Sequence, residues 1–146
     1  SDTNGAEFSV SVWVKPDVIE LAGVWQFTGS SLRTQLYQYQ EEWVLSIDDG
    51  GGTASGGNVT ANKWHHIVAT YDGSVGRIYQ NGVKVAANPE NTPTLSSGFE
   101  ISKNSNNARW TGKIDEIRIY NEALTQQQIW QLYNIGSHAP WRLNRS

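Results

Sequence analysis

The chain has 146 residues, of which 38% are hydrophobic and 11% aromatic, so it can fill one core and is too short to suggest two. We therefore expect one domain over residues 1–146, with a core from residue 8 to residue 135 and a C-terminal tail over residues 137–146. The net charge of −3 and the absence of a lysine or arginine run exclude the electrostatic signature of a nucleic-acid-binding protein.

Three further absences narrow the possible classes of protein and of functional site. The chain has no cysteine, which excludes a disulfide framework, a thiolate nucleophile and a zinc-thiolate site. It has no methionine, so we expect the sequence to be a piece of a longer protein. No apolar stretch approaches the ~18 residues that span a bilayer, and we therefore expect no membrane insertion.

Alternation of apolar and polar residues predicts short strands in the first half of the chain. The pattern that begins at Phe8 stops at Pro16, and the strand that follows residue 31 places Arg33, Gln35, Tyr37 and Tyr39 on one face. The predicted strands cover residues 8–15, 24–27, 32–40 and 43–48.

The second half of the chain continues the β pattern. The clearest predicted strand covers residues 64–71. Asn81-Gly82 lies between two alternating segments and predicts a tight β-hairpin, because both turn positions tolerate positive φ. Residues 88–98 are rich in turn formers, and Pro89 is expected to interrupt pairing. Further strands are predicted over residues 77–80, 83–86, 99–102 and 114–120.

One helix is predicted near the C-terminus. Thr125 is its N-cap, Gln128 completes a capping box, and Leu124 and Ile129 form a hydrophobic staple. Gly136 is expected to end the helix. Many short strands followed by one late helix predict an all-β fold, either a two-sheet sandwich or a jelly roll, with one short C-terminal helix.

Four segments resemble the laminin G-like, concanavalin A-like jelly-roll superfamily, in the same order and with similar spacing. They cover residues 8–16, 63–73, 77–83 and 112–121, and read FSVSVWVKP, KWHHIVATYDG, RIYQNGV and GKIDEIRIYN. The resemblance implies two packed antiparallel sheets, in many members a structural calcium ion, and binding in place of catalysis in most members.

The resemblance also implies a position for the calcium ion. Asp115 matches a position that often contributes to calcium binding, and it would need further oxygen ligands from backbone carbonyls or from Asp2 and Asn4. Alternatively, Asp115 and Glu116 accept hydrogen bonds from backbone amides in a loop. Family members carry another strand before the one at Phe8, but only seven mostly polar residues precede Phe8 here, which weakens the calcium prediction.

The seven tryptophans and six tyrosines exceed the needs of a core of this size. Flat aromatic faces stack on the apolar side of a sugar ring, and planar amides, carboxylates and guanidinium groups bind its hydroxyls. Trp13, Trp64 and Trp130 are assigned to the core or its edge. The predicted ligand-binding residues on an open surface are Trp25, Arg33, Gln35, Tyr37, Tyr39, Trp43 and Trp110, although each alone could equally pack beneath a loop.

Residues that could perform catalysis are poorly arranged for it. His65 and His66 are neighbours on a strand, so they point to opposite faces and are expected to be structural. Three acidic pairs, Glu41-Glu42, Asp48-Asp49 and Asp115-Glu116, are sequential neighbours, and no predicted strand shows acid-x-acid spacing. A glycosidase places two carboxylates on the same side of a strand. The sequence therefore predicts a chain that is not an enzyme.

The leading hypothesis is a non-catalytic carbohydrate-binding module that recognises a polysaccharide or oligosaccharide and belongs to a larger protein, secreted or at the cell surface. The alternative is a protein-adhesion or structural domain, which would expose a large apolar patch. A third hypothesis is a jelly-roll enzyme that degrades glycans.

Overall fold

The computed structural model describes residues 7–28, 34–47, 53–89, 98–103 and 107–139. Its elements, in chain order, are β1 (Phe8–Pro16), β2 (Ala22–Thr28), β3 (Thr34–Tyr39), β4 (Glu42–Ser46), β5 (Thr53–Gly56), β6 (His65–Tyr71), β7 (Val75–Gln80), β8 (Val83–Pro89), β9 (Gly98–Ile101), β10 (Gly112–Tyr120) and α1 (Gln126–Ser137).

The strands form two antiparallel five-stranded sheets. The first sheet has the order β10-β1-β6-β7-β8, and the second sheet has the order β5-β4-β3-β2-β9. The face of each sheet that meets the other sheet is its inner face, and the opposite one is its outer face. This arrangement confirms the predicted all-β jelly-roll sandwich with one C-terminal helix.

The hydrophobic core lies between the two inner faces. Alternate residues of each strand point inward, so the apolar positions identified from the sequence meet there. Burial of one such side chain stabilises the fold by about 1.5–3 kcal/mol. The core side chains include Phe8, Val10, Val12, Val14, Trp25, Phe27, Leu36, Leu45, Ile47, Ile67, Ala69, Tyr71 and Ile78.

Helix α1 packs on the outer face of the first sheet. Its buried Ile129 joins Leu124, Val68 and Tyr79 in a second, smaller hydrophobic cluster, which confirms the predicted staple. The capping box is also confirmed, because Thr125 Oγ1 accepts from the backbone N–H of Gln128 and the Gln128 side chain accepts from the backbone N–H of Thr125. The helix therefore lies on the outer face of the first sheet, and no described residue forms a helix on the outer face of the second sheet.

Gly136 has a different role from the predicted one. The helix continues through Gly136 to Ser137 and is capped by His138, so the prediction that Gly136 ends it is wrong. A Cβ atom at position 136 would lie 2.7 Å from Cε2 and Cζ2 of Trp13, and closer still to Nε1. The glycine lets the helix backbone lie directly against the buried indole ring of Trp13.

The predicted hairpin is confirmed at Asn81-Gly82. The two residues have φ values of 52° and 84° and join β7 to β8, as the sequence pattern requires. β8 extends further than expected, because Asn88 and Pro89 pair with Gly76 and Val75. Pro89 is the last residue of an edge strand, where its missing N–H disrupts no ladder, so the prediction that it interrupts pairing is wrong.

A β-bulge in β2 reverses which residues face the core. Gly23 pairs with Tyr37, but Trp25 pairs with Leu36, so Val24 is an extra residue in the strand. Because side chains alternate along a strand, one inserted residue exchanges the two faces beyond it. Trp25 thereby points inward and Gln26 points outward.

Two sequence features were incompletely predicted. The sequence gives no apolar pattern for β5, which consists of Thr53, Ala54, Ser55 and Gly56, yet this strand pairs with β4 throughout. Leu32 and Arg33 lie outside the described residues.

Among the residues that the structure describes, no helix is long and apolar enough to cross a membrane.

Candidate functional site

The outer face of the second sheet carries a row of polar side chains that crosses all five strands. Strand register places these residues opposite one another, with one residue contributed by each strand. We name this set the polar row, and its members in spatial order are Glu100, Gln26, Gln35, Ser46 and Thr53.

The centre of the polar row is buried although it lies on an outer face. Gln26 is 2% exposed, and Gln35 and Ser46 are also buried. Gln26 Nε2 donates to Glu100 Oε1 at 2.6 Å. The other carboxylate oxygen, Oε2, lies 3.1 Å from Lys103 Nζ. Gln26 Oε1 is buried and accepts no hydrogen bond from any described residue.

Two tyrosines extend the site from the polar row toward the turn that ends β3. Tyr37 and Tyr39 lie on the same face as Gln35, as predicted, because they follow it at intervals of two residues. Tyr37 lies opposite Gly23 and Val44, whereas Tyr39 is 48% exposed and lies opposite Glu42. Burial raises the pKa of the Tyr37 hydroxyl, and Tyr39 adds to the rise.

The three predicted tryptophans lie in the core, so the prediction that they line an open surface is wrong. Trp25 is turned inward by the bulge at Val24 and packs against Phe8, Phe27 and Phe99. Its burial leaves Gln26 in the outward position that we had expected Trp25 to occupy.

Trp43 and Trp110 form a second buried aromatic pair. Their rings stack with centroids 6.2 Å apart, and Trp110 Nε1 donates to the Lys113 carbonyl oxygen. Trp43 alternates in step with Leu45 and Ile47, which are core residues, and this pattern already indicated an inward position. Of the residues assigned to the core or its edge, Trp13 is buried, but Trp130 is 48% exposed.

The arginines that could have formed an anion site are separated in the described structure. Arg77 lies in the first sheet and pairs with Asp72 through Nη1 and Oδ2 at 2.6 Å. Arg109 is exposed on the segment after β9, where its backbone forms an isolated antiparallel β-bridge with Lys103. Arg33, the remaining predicted binding residue, lies outside the described residues.

The two adjacent histidines face opposite sides of the first sheet, as predicted. His65 is on the inner face, where its ring nitrogens lie 3.0 Å from Thr60 Oγ1 and 3.1 Å from Gln80 Nε2. Burial lowers the pKa of His65, the backbone of Thr60 raises it, and Lys63 lowers it further. His66 Nε2 lies 2.7 Å from Ser11 Oγ on the outer face. Both histidines have structural partners.

Asp115 lies on β10 opposite Trp13, beside a second bulge. Its Oδ1 accepts from the backbone N–H of Glu116, whose φ is 51°. This contact matches the reading in which Asp115 satisfies a backbone amide. Within the described ranges, no three or more histidine, aspartate or glutamate side chains cluster as a metal site. Calcium binding stays a prediction, since Asp2 and Asn4 lie outside those ranges.

A family model of laminin G type, described as the concanavalin A-like lectin/glucanases superfamily, matches residues 1–130. The chain belongs to this superfamily. The resemblance seen in four sequence segments is thereby confirmed, and the two five-stranded sheets agree with it. No curated protein sequence matches the chain.

Solved structures with the lectin/glucanase fold include three informative neighbours. A native heptameric SAP-like pentraxin from Limulus polyphemus is 16% identical with a TM-score of 0.72, over 87% of this chain and 69% of that chain. Domain 4 of AbnA, a GH43 extracellular arabinanase from Geobacillus stearothermophilus, was solved in complex with arabinotriose. It is 22% identical with a TM-score of 0.69, over 87% and 66% of the two chains.

The third neighbour is a proposed carbohydrate-binding protein from Bacteroides ovatus. It is 20% identical with a TM-score of 0.72, over 86% of this chain and 40% of that chain. The present chain therefore spans less than half the length of this neighbour. At these identities the comparisons show a common fold.

Proposed function

We propose that this chain is a non-catalytic carbohydrate-binding module whose ligand lies on the outer face of the second sheet. The observation that carries the proposal is the polar row beside Tyr37 and Tyr39, on a sheet face that no helix of the described residues covers. The other outer face is occupied by α1 and its hydrophobic cluster. A ligand that binds a sheet face of this sandwich is therefore best accommodated on the second sheet.

The chemistry of the site suits a sugar. An exposed tyrosine ring such as Tyr39 offers an apolar face for the C–H surface of a pyranose or furanose ring. The amides of Gln26 and Gln35 supply planar donors and acceptors at fixed positions, which match the hydroxyl groups around such a ring. Several strands contribute to the face, and this favours a ligand that extends across the sheet.

The carboxylates of the described outer face support a binding role over a hydrolytic one. Glu100 is on β9 and Glu42 is on β4, and β2 and β3 lie between them. Three strand spacings separate the two backbones by about 14 Å. Glycosidases hold their two carboxyl groups roughly 5–10 Å apart across one glycosidic bond. This strand spacing does not favour hydrolysis by the two carboxylates.

The structural neighbours agree with this proposal. One is a domain of an extracellular arabinanase solved with arabinotriose, and another is a proposed carbohydrate-binding protein that is much longer than this chain. We accordingly propose that the module belongs to a larger protein that is secreted or displayed at the cell surface, with a polysaccharide or oligosaccharide as its partner.

The proposal is tested by glycan-array binding followed by affinity electrophoresis in gels that contain the soluble glycans retained. Tyr39→Ala removes an exposed ring, and the matched control Trp130→Ala removes a ring of equal fractional exposure from the helix side. Loss of one aromatic stacking contact of about 0.5–1.5 kcal/mol reduces affinity by roughly 2- to 12-fold. We expect this reduction for Tyr39→Ala and no change for Trp130→Ala.

Two results would contradict the proposed carbohydrate-binding function or its proposed site. If the wild-type chain retains no glycan on the array, the carbohydrate function fails. If binding is observed but the Tyr39 and Trp130 variants change it equally, the ligand lies elsewhere. Repeating the assay with calcium and with chelator separates a metal-dependent site near Asp115 from the face proposed here.

A specific observation favours a second candidate, a protein-adhesion domain. The connection between β1 and β2 exposes Val18, Ile19 and Leu21. Ala22, which follows them, pairs with Gln38, the residue before the exposed Tyr39. Exposed apolar side chains in one segment are typical of an adhesive surface. An adhesive patch predicts that Ile19→Ser abolishes partner binding while glycan affinity is unchanged. Retention of partner binding by Ile19→Ser would exclude the patch as the adhesive surface.

A further inference from the structure

A fixed chain of hydrogen bonds orients the amide of Gln26. Lys103 Nζ contacts Glu100 Oε2, and Glu100 Oε1 accepts from Gln26 Nε2 at 2.6 Å. A carboxylate held against a lysine accepts hydrogen bonds and donates none. It therefore selects the amide orientation in which Nε2 faces Glu100. The carbonyl oxygen of Gln26 must then point away from Glu100.

No donor from the described residues reaches this carbonyl oxygen. Gln26 is 2% exposed, and its Oε1 accepts no hydrogen bond from the described part of the chain. Leaving such a group unsatisfied destabilises the folded state. The residue at this position is glutamine, whereas a leucine or valine would carry no unsatisfied polar group. A ligand that donates a hydrogen bond to this oxygen would offset the cost.

The donor requirement identifies the chemistry of the ligand. A sugar hydroxyl can donate to Gln26 Oε1, whereas a carboxylate or a sulfate ester offers only acceptor oxygens. An anionic group at this position would also approach the carboxylate of Glu100. We infer that the site recognises a neutral glycan, one of whose hydroxyl groups donates to Gln26 Oε1, and that it discriminates against uronates and sulfated sugars. This inference rests on the proposed function.

Two basic residues of the described structure are paired with carboxylates, which agrees with this selectivity. Lys103 is neutralised by Glu100, and Arg77 is neutralised by Asp72 on the other sheet. Arg33 lies outside the described residues, and the experiment therefore includes Arg33→Ala as a separate arm.

The experiment compares neutral polymers with anionic counterparts for the wild type and four variants. The probes are dextran with dextran sulfate, galactan with polygalacturonate, and all neutral and acidic members of the glycan array. Gln26→Leu removes the acceptor. Gln38→Leu is the matched control, since Gln38 is also a buried β-strand glutamine with an unpartnered Oε1, but it lies on the inner face. Thermal unfolding of each variant checks that it is folded.

The wild type is expected to bind neutral glycans at least tenfold more tightly than anionic ones. Gln26→Leu should weaken neutral binding about tenfold, the worth of one well-placed hydrogen bond, while Gln38→Leu leaves it unchanged. Glu100→Gln frees the amide of Gln26 to flip, because a glutamine can donate as well as accept. This variant should therefore reduce the preference for neutral glycans.

The possible failures are distinguishable. If the wild type prefers anionic glycans, or if Arg33→Ala removes its binding to them, the inference is overturned while the carbohydrate function stands. If Gln26→Leu and Gln38→Leu alter neutral binding equally, Gln26 does not contact the ligand. If no glycan is retained, the proposed function and the inference fail together.

Discussion

Replacement of Gly136 by alanine tests how closely α1 packs against the first sheet. Two opposing effects decide the result. Alanine is favoured over glycine in a helix by about 0.5–1 kcal/mol. However, the new Cβ atom would lie 2.7 Å from Cε2 and Cζ2 of Trp13. Ordinary carbon contacts are about 3.5–4.0 Å, so the helix and the ring must separate by roughly 1 Å.

The indole of Trp13 has little freedom to move. It is buried, its ring centroid lies 5.0 Å from that of His66, and it stacks on Tyr133 at 5.8 Å. Overpacking of this kind costs about 1–3 kcal/mol, which exceeds the gain in helix propensity. We expect Gly136→Ala to lower the free energy of unfolding by about 1 kcal/mol and the melting temperature by about 2–4 °C.

Urea unfolding followed by tryptophan fluorescence measures the change. The control is Asn134→Ala, an exposed substitution in the same helix that gains propensity without a contact and should stabilise by about 0.5 kcal/mol. In a Trp13→Phe background the smaller ring should reduce the cost of alanine at position 136. Equal stabilisation by Gly136→Ala and Asn134→Ala would show that the helix does not approach Trp13 as described.

Two further predictions concern stability. Because burial lowers the pKa of folded His65 below its unfolded value of about 6.5, the unfolded chain binds more protons, and the free energy of unfolding should fall as the pH drops below about 6.5. His65→Gln should flatten this dependence in urea titrations at several pH values, and an unchanged slope would contradict it. Thr125→Ala removes the N-cap of α1 and should cost about 1 kcal/mol in thermal unfolding, whereas Gln127→Ala should cost none.

Local patterns in the sequence predicted most of the fold. The Asn81-Gly82 hairpin and the capping box at Thr125 depend on residues that are adjacent in the chain, so their chemistry can be read directly. The alternation that begins at Phe8 likewise defines both faces of β1. The family resemblance then supplied the arrangement of the two sheets.

The candidate site was only partly predictable. Gln35, Tyr37 and Tyr39 were found because they alternate along one regular strand. Trp25 was misassigned and Gln26 was missed because an inserted residue at Val24 exchanges the faces of β2, and only pairing with β3 reveals it. Gly136 was misread because its partner, Trp13, lies more than 120 residues away in the sequence. Such contacts are set by tertiary packing.

The bulge at Val24 has a practical consequence for engineering ligand preference. A library that randomises aromatic positions would include Trp25. Most substitutions there would leave a cavity in the core and lower the yield of folded protein. Diversity at Gln26, Gln35 and Ser46 would instead alter the polar row of the proposed binding face, although all three side chains are buried and each variant must be checked for folding. Deletion of Val24 would remove the bulge without exchanging the two faces, because Trp25 would stay opposite Leu36 and Gln26 opposite Gln35. The indole would therefore remain in the core and the amide on the outer face.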